Sequence, residues 1–269
     1  MNLGKTLKYV RNLKAGNHGI FFYEDPQEKR EVLFSFLQAG LETGEGAVYV
    51  AAQEPSAQIR RHMEDFGLNV QSLYKDGLLR ILDYDEWYII DGKVNVPYMT
   101  RLGNYMFQEA MEMGLKGLRG CGETACFFEY GKEKKLMEYE RIVGTKFDLP
   151  VTVLCAYDVH HIRSLEIDAF SSLLRAHGPV LTHSFAQEVI FEDFFLEIID
   201  DVLETIFGET GKETIMRILD ERLSFTPTEI GESPKVFLEG LEDIVGSGAR
   251  VVAKSIAARM CTRIGIAEK

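Results

Sequence analysis

Acidic residues gather wherever an apolar run of this 269-residue chain gives way to a polar one: Tyr23-Glu24-Asp25, Gln53-Glu54, Gly122-Glu123 and Tyr157-Asp158. If the runs are strands of an open α/β sheet, these segments leave its carboxyl edge, where ligands of such sheets bind. A crest so rich in carboxylates repels phosphates. It suits a neutral or cationic small molecule, or a metal ion. Tyr23, Glu54, Gly122, Glu123, Cys155, Tyr157 and Asp158 are expected to line it, with Gly122, Glu123, Cys155 and Tyr157 foremost. Each carboxylate taken singly also reads as an ordinary solvated loop residue.

The thiols and imidazoles offer a second chemistry. Cys155 lies inside an apolar run, which fits a satisfied core thiol or a sensor thiol beside Tyr157. Cys121, Cys126, Cys155, His160 and His161 could converge on the crest as metal ligands. The four residues between Cys121 and Cys126 lie at the loose end of zinc spacings. His18 and His177 precede their strands and so belong at the opposite edge. A strand from 18 to 23 spans roughly 17 Å at ~3.3 Å per residue, so His18 and Tyr23 cannot share one small pocket. Both histidines read as structural imidazoles.

No catalytic residue stands out, because no Ser, Cys or Thr sits on a strand–turn–helix elbow. Gly4-Lys5-Thr6 has no strand before it. Gly208-Glu-Thr-Gly-Lys-Glu-Thr214 has two residues between its glycines, where a phosphate loop has four. No particular cofactor is implied.

The elements that would position these residues alternate. Apolar runs at 18–23, 47–52, 78–82, 117–122, 151–156 and 179–182 are separated by amphipathic stretches, and Asp91-Gly92 marks a hairpin between 87 and 96. Strands separated by helices make an α/β domain with a mostly parallel sheet covered on both faces. From about residue 187 the pattern is helical only, with breaks at Gly208, Gly211, Pro227, Gly231, Pro234 and Gly246-Ser-Gly248. The expected domains are therefore 1–186 and a small all-α domain at 187–269.

Apolar residues make up 46% and charged residues 27%, enough to bury a core, and the net charge is −12. Such a charge disfavours direct nucleic acid binding, which needs a clustered basic surface, and anionic membranes. Any downstream partner is expected to be a protein. No run reaches the roughly 18 apolar residues of a membrane span, and the first residues lack a signal peptide's apolar core. A cytoplasmic location with four reduced cysteines follows as the expectation.

Three runs, Ile20-Phe-Phe-Tyr-Glu-Asp-Pro26, Phe36-Leu-Gln-Ala-Gly-Leu-Glu-Thr-Gly-Glu45 and Ala47-Val-Tyr-Val-Ala-Ala-Gln-Glu-Pro55, resemble the opening of a KaiC-like, RecA-type ATPase. The phosphate loop is replaced by Tyr23-Glu-Asp-Pro-Gln-Glu-Lys29, without glycine or a Lys-Ser/Thr pair. The metal-binding strand is replaced by Leu118-Arg-Gly-Cys-Gly-Glu123. With His18, Tyr23, Gly117-Leu-Arg119, Tyr139-Glu140, Cys155-Ala-Tyr-Asp158 and His177, the chain resembles the MEDS family of methanogen and methylotroph sensory domains over about residues 14–184. That resemblance implies a RecA/KaiC-like fold and small-molecule sensing, with hydrocarbon-type ligands. One residue departs from the pattern: such domains often carry Cys two residues after the first His, and here that residue is Ile20. The tail from Phe191 resembles small helical output domains of archaeal signalling proteins.

The expected function is a non-enzymatic receptor that binds a small ligand at the sheet crest and relays occupancy through the helical domain. A residual ATP-binding ATPase and a ligand-free interaction module are the alternatives. The paired apolar helices of the tail are compatible with a homodimer.

Overall fold

A computed structural model of the chain describes residues 3–223 and 234–266. The order is α1 (Leu3–Arg11), β1 (His18–Tyr23), α2 (Pro26–Thr43), β2 (Gly46–Ala51), α3 (Ser56–Asp65), α4 (Val70–Lys75) and β3 (Leu79–Asp83). Then come α5 (Tyr84–Trp87), β4 (Ile89–Ile90), β5 (Lys93–Val94), α6 (Val96–Glu112), β6 (Leu118–Glu123), α7 (Ala125–Glu129) and α8 (Glu133–Val143). The rest is β7 (Val151–Asp158), α9 (Val159–Ile162), α10 (Ile167–Ala176), β8 (Pro179–Leu181), β9 (Ala186–Glu188), α11 (Phe191–Leu223), α12 (Pro234–Val245) and α13 (Ala249–Arg263).

Seven strands form one sheet in the order β3-β2-β6-β7-β1-β8-β9, parallel throughout except for β9. The mostly parallel α/β sheet with a helical C-terminal region agrees with the expectation from the sequence. Several short elements fall outside that expectation, among them β9 and α1. Strand β9 is only three residues long, and α1 is a short helix that buries Thr6 and Val10. The Asp91-Gly92 hairpin forms as β4 and β5.

Local chemistry fixes the element that follows β1. Asp25 caps α2 by accepting from the Gln27 backbone, Pro26 occupies its first turn, and Gly44 ends it in the left-handed conformation at φ 89°. The segment that replaces the phosphate loop is thus a capped helix start.

Alternation then divides the strands between two faces. Phe21, Tyr23, Tyr49, Cys121 and Leu154 join one core with Val32, Leu33, Phe36 and Leu37 of α2 and Ile59 of α3. His18, Ile20, Val48, Val50, Gly120, Gly122, Val153, Cys155 and Tyr157, each one residue out of phase, point to the other face. Register puts Ile20 beside Cys155, Cys155 beside Gly122, and Gly122 beside Val50.

The chain divides into two compact units. One holds the residues up to Arg163 with Ala176–Glu188, and the other holds Ser164–Arg175 with the chain from Val189 onward. In the second unit α11 continues through Gly211 and bends at Gly208, which has φ 73° and ψ 169°. Of the other expected breaks, Pro234 begins α12, Gly246–Gly248 forms a 3-10 turn, and Pro227 and Gly231 lie outside the described residues. No helix among the described residues is long and apolar enough to cross a membrane.

Candidate functional site

The crest is occupied by the protein's own ion pairs. Lys29, in the first turns of α2, points back over the sheet and lies 2.6 Å from Glu123 Oε1, both side chains fully buried. Its Nζ also donates to Gln53 Oε1 at 2.8 Å. Glu123 accepts further from the Tyr49 hydroxyl at 2.5 Å and from the backbone of Ala52 and Gln53 at 2.8 and 2.7 Å. Although the segment lacks a Lys-Ser/Thr pair, Lys29 does bring an ammonium to this position, and Glu123 neutralises it. Glu54 takes Arg30 at 2.9 Å, Glu24 takes Arg163 at 2.6 Å, and Glu28 takes His183 at 3.1 Å. Asp158 caps α9 and accepts from His160 and Gln53. Tyr23 is buried against the α2 face, its ring 5.4 Å from Lys29 Nζ.

Four ligand-type side chains meet on the other face, near the amino end of β1. His18, Glu140 of α8, Cys155 of β7 and His177 each bring one donor atom, and all four atoms lie within 4.8 Å of one another. Every one of these residues is buried. His18 Nε2 is 3.3 Å from Cys155 Sγ and 3.5 Å from Glu140 Oε2, and His177 Nε2 is 3.6 Å from that same oxygen. The two imidazole rings sit 4.1 Å apart.

The proton of His18 can be placed. Its Nδ1 faces the carbonyls of Gly144 at 2.7 Å and Ala176 at 3.1 Å, and carbonyls only accept. Nδ1 therefore carries the hydrogen. Burial pulls the imidazole down to about 4, so the ring is neutral at pH 7 and Nε2 presents a lone pair to Cys155 and Glu140. Burial pushes the Glu140 carboxyl up to about 7, against the Tyr157 hydroxyl and the Cys155 thiol, which favour its ionised form. Burial also raises the Cys155 thiol, with Glu140 adding to the effect. Tyr157 donates to Glu140 Oε1, while Oε2 has no hydrogen-bond partner.

Beside this cluster is a cavity of about 280 Å³ between the sheet and helices α6 and α8. Its floor includes Val48, Val50, Gly120, Gly122, Val153 and Cys155, and Met99, Phe107, Tyr139 and Ile142 stand opposite. The space exists because, beyond Leu118, β6 presents only Gly120 and Gly122 on this face. A Cβ on Gly120 would come no nearer than 3.9 Å to Val153, whereas one on Gly122 would overlap the Tyr88 hydroxyl. Tyr88 itself is wedged edge-on against Phe127 and Tyr139, at 5.0 and 6.3 Å.

The seven expected site residues are thus dispersed. Gly122 and Cys155 line the cavity, and Tyr157 holds Glu140. Tyr23, Glu54, Glu123 and Asp158 stay at the crest, engaged as described. The five expected metal ligands do not converge: Cys121 and Cys155 occupy adjacent strands but opposite faces, so their thiols cannot share an ion. Cys126 is buried in α7, His160 is held by Asp158, and His161 stacks on Phe128 at 4.6 Å. Only Cys155 enters the observed cluster. His18 and His177 do lie away from the crest, but beside the thiol and carboxylate rather than in a purely structural setting. Ile20, the residue that departs from the family pattern, pairs in register with Cys155 on the next strand.

A family model described as the methanogen/methylotroph, DcmR sensory domain (MEDS) matches residues 17–177. A UPF0273 protein of Methanopyrus kandleri is 42% identical over 48 residues, covering 18% of this chain and 19% of that protein. A UPF0273 protein of Thermotoga maritima is also 42% identical over 48 residues, covering 18% and 20%. The match spans about a fifth of the length of these curated relatives. Among solved structures, the KaiC-like protein PH0186 of Pyrococcus horikoshii is similar with a TM-score of 0.45 and 17% identity, over 62% of this chain and 71% of that one.

Proposed function

The chain belongs to the MEDS family of sensory domains, and from that premise we propose that it is a receptor for a small, uncharged, largely apolar molecule held in the cavity over β6. The observation that carries this reading is the apolar wall around Gly120 and Gly122, with the Cys155 thiol in its floor. At about 280 Å³ the cavity lies just below the usual range of ligand pockets, roughly 300–1,000 Å³. It exceeds the ~150 Å³ engineered cavity that takes up benzene. The guest is therefore a molecule of about ten heavy atoms or fewer.

Binding shifts an equilibrium only through differential affinity for two states. In this reading the occupied form favours one state of the C-terminal helical unit, which passes the signal to a protein partner in the cytoplasm. The net charge of −12 supports a protein rather than a nucleic acid as that partner. We read the chain as non-enzymatic, since Lys29 is already neutralised by Glu123 where a nucleotide phosphate would need it.

Calorimetry and thermal unfolding with benzene, toluene and short chlorinated alkanes test this directly. At least one should bind wild type and raise its melting temperature, and Gly120→Val should weaken both effects, most for the largest guest bound. Binding unaltered in Gly120→Val, or stabilisation by Mg-ATP in place of apolar guests, would sink the proposal.

A further inference from the structure

We propose that His18, Glu140, Cys155 and His177 form a four-coordinate binding site for a divalent transition metal of zinc type, one donor atom from each residue. The four donors come from β1, α8, β7 and the residue that follows α10, and the fold alone brings them together.

Their spacing fits such an ion. Zinc bonds of roughly 2.0–2.1 Å to nitrogen, 2.0–2.2 Å to oxygen and 2.3 Å to sulfur, arranged as a tetrahedron, put neighbouring donors about 3.4–3.6 Å apart. Three of the six separations lie at or close to that range, 3.3 Å for His18 Nε2 to Cys155 Sγ, 3.5 Å for His18 Nε2 to Glu140 Oε2 and 3.6 Å for His177 Nε2 to Glu140 Oε2; all six are within 4.8 Å, so binding draws the remaining donors inward.

The tautomer fits as well. Metal-bound histidines usually donate their second ring N–H to a carbonyl or carboxylate, which orients the ring and fixes the free lone pair. His18 Nδ1 does this twice over, to Gly144 and Ala176. Glu140 is oriented in the same manner, with Oε1 held by Tyr157 and Oε2 left for the ion. A buried carboxylate oxygen without a hydrogen bond needs an explanation, and a metal supplies one.

Charge completes the case. A divalent ion displaces the proton of the coordinating thiol and any proton held by the Glu140 carboxyl, and both leave to solvent. One thiolate, one carboxylate and two neutral imidazoles then sum to −2, and the ion cancels this among four buried residues. Among the described residues Glu140 pairs with no lysine or arginine; its close basic neighbours are the two imidazoles, so no other cation competes for that role.

The test uses the full chain, reduced, stripped with chelator, then loaded with Zn²⁺ or Co²⁺. Elemental analysis should find about one metal per chain. The cobalt form should show the intense visible bands of tetrahedral coordination and a thiolate-to-cobalt charge-transfer band. Cys155→Ser should remove that band and weaken binding by at least about 10–100-fold, the loss that even outer-shell changes cause. Cys261→Ser should change neither. Anomalous diffraction at the zinc edge from wild-type crystals should place the ion within bonding distance of all four atoms, and this decides the matter should Cys155→Ser fail to fold. Loading without a charge-transfer band, a band that survives Cys155→Ser, or a zinc peak elsewhere would overturn the proposal. The outcome is separable from cavity binding: metal without apolar guests keeps this site and removes the receptor reading, and the converse result does the reverse.

Discussion

The ammonium of Lys29 and the carboxylate of Glu123 lie 2.6 Å apart with neither side chain open to water. Removing one member of such a pair strands the other charge in a low-dielectric interior. Lys29→Met should therefore cost about 3–5 kcal/mol of stability, read from urea unfolding. Glu123→Gln should cost less, since the amide oxygen can still accept from the backbone of Ala52 and Gln53. Equal costs would mean that the backbone contacts contribute little.

Gly120 and Gly122 sit two residues apart on one face of β6 and should answer oppositely to one added methyl. Gly120→Ala meets ordinary contact distances, and loss of chain entropy in the unfolded state should stabilise by about 0.4–1 kcal/mol. Gly122→Ala collides with Tyr88 and should destabilise by about 1–3 kcal/mol. Tyr88→Phe in the same chain should recover part of that loss. A double-mutant cycle from denaturant midpoints measures the coupling.

In chelator-treated protein, Glu140 and His18 pull the pH dependence of stability in opposite directions. Glu140 titrates at about 7 when folded against 4.5 as its ordinary value, so its contribution is complete below 4.5 and lost as pH rises through 7. His18 titrates at about 4 against 6.5, so its contribution is complete above 6.5 and lost as pH falls through 4. Glu140→Gln removes the first slope and leaves the second. The stability of the variant relative to wild type should climb by roughly 1–3 kcal/mol between pH 4.5 and 7. Urea unfolding at those two pH values checks the sign, and a flat difference would show that Glu140 does not hold its proton.

The bend in α11 depends on Gly208, whose φ of 73° and ψ of 169° are open essentially to glycine alone. Gly208→Ala should cost about 1–3 kcal/mol. Amide exchange between Phe191 and Leu223 should accelerate while exchange in β1 and β7 does not. Unchanged exchange in α11 would show that the bend tolerates a side chain.

The sheet was legible in the sequence because parallel strands buried on both faces read as continuous apolar runs, and those at β1, β2, β7 and β8 are unbroken. Their weakness for site prediction has the same origin. A run buried on both sides shows no alternation, so nothing in Leu118-Arg-Gly-Cys-Gly-Glu123 says which face Cys121 takes and which is left to Gly122. Strand register decides it. Crest carboxylates could be located by asking where strands end, but their cations, Lys29, Arg30 and Arg163, lie in the following helices or far along the chain. His18 and Glu140 are separated by more than a hundred residues, and only packing of α8 over the second face brings them together. Tyr139-Glu140 and His177 were visible as parts of the family resemblance. Their meeting point was not, because no local spacing encodes it.

The glycines of β6 also bear on how such a detector can diverge. Room at Gly120 means that alanine there trims the chamber by one methyl at ordinary contact distance, and valine by three carbons. In the proposed receptor the largest guest admitted would then be set by a single codon. Selectivity in this lineage can drift in small steps without any loop being rebuilt, and without disturbing the four buried donors next door.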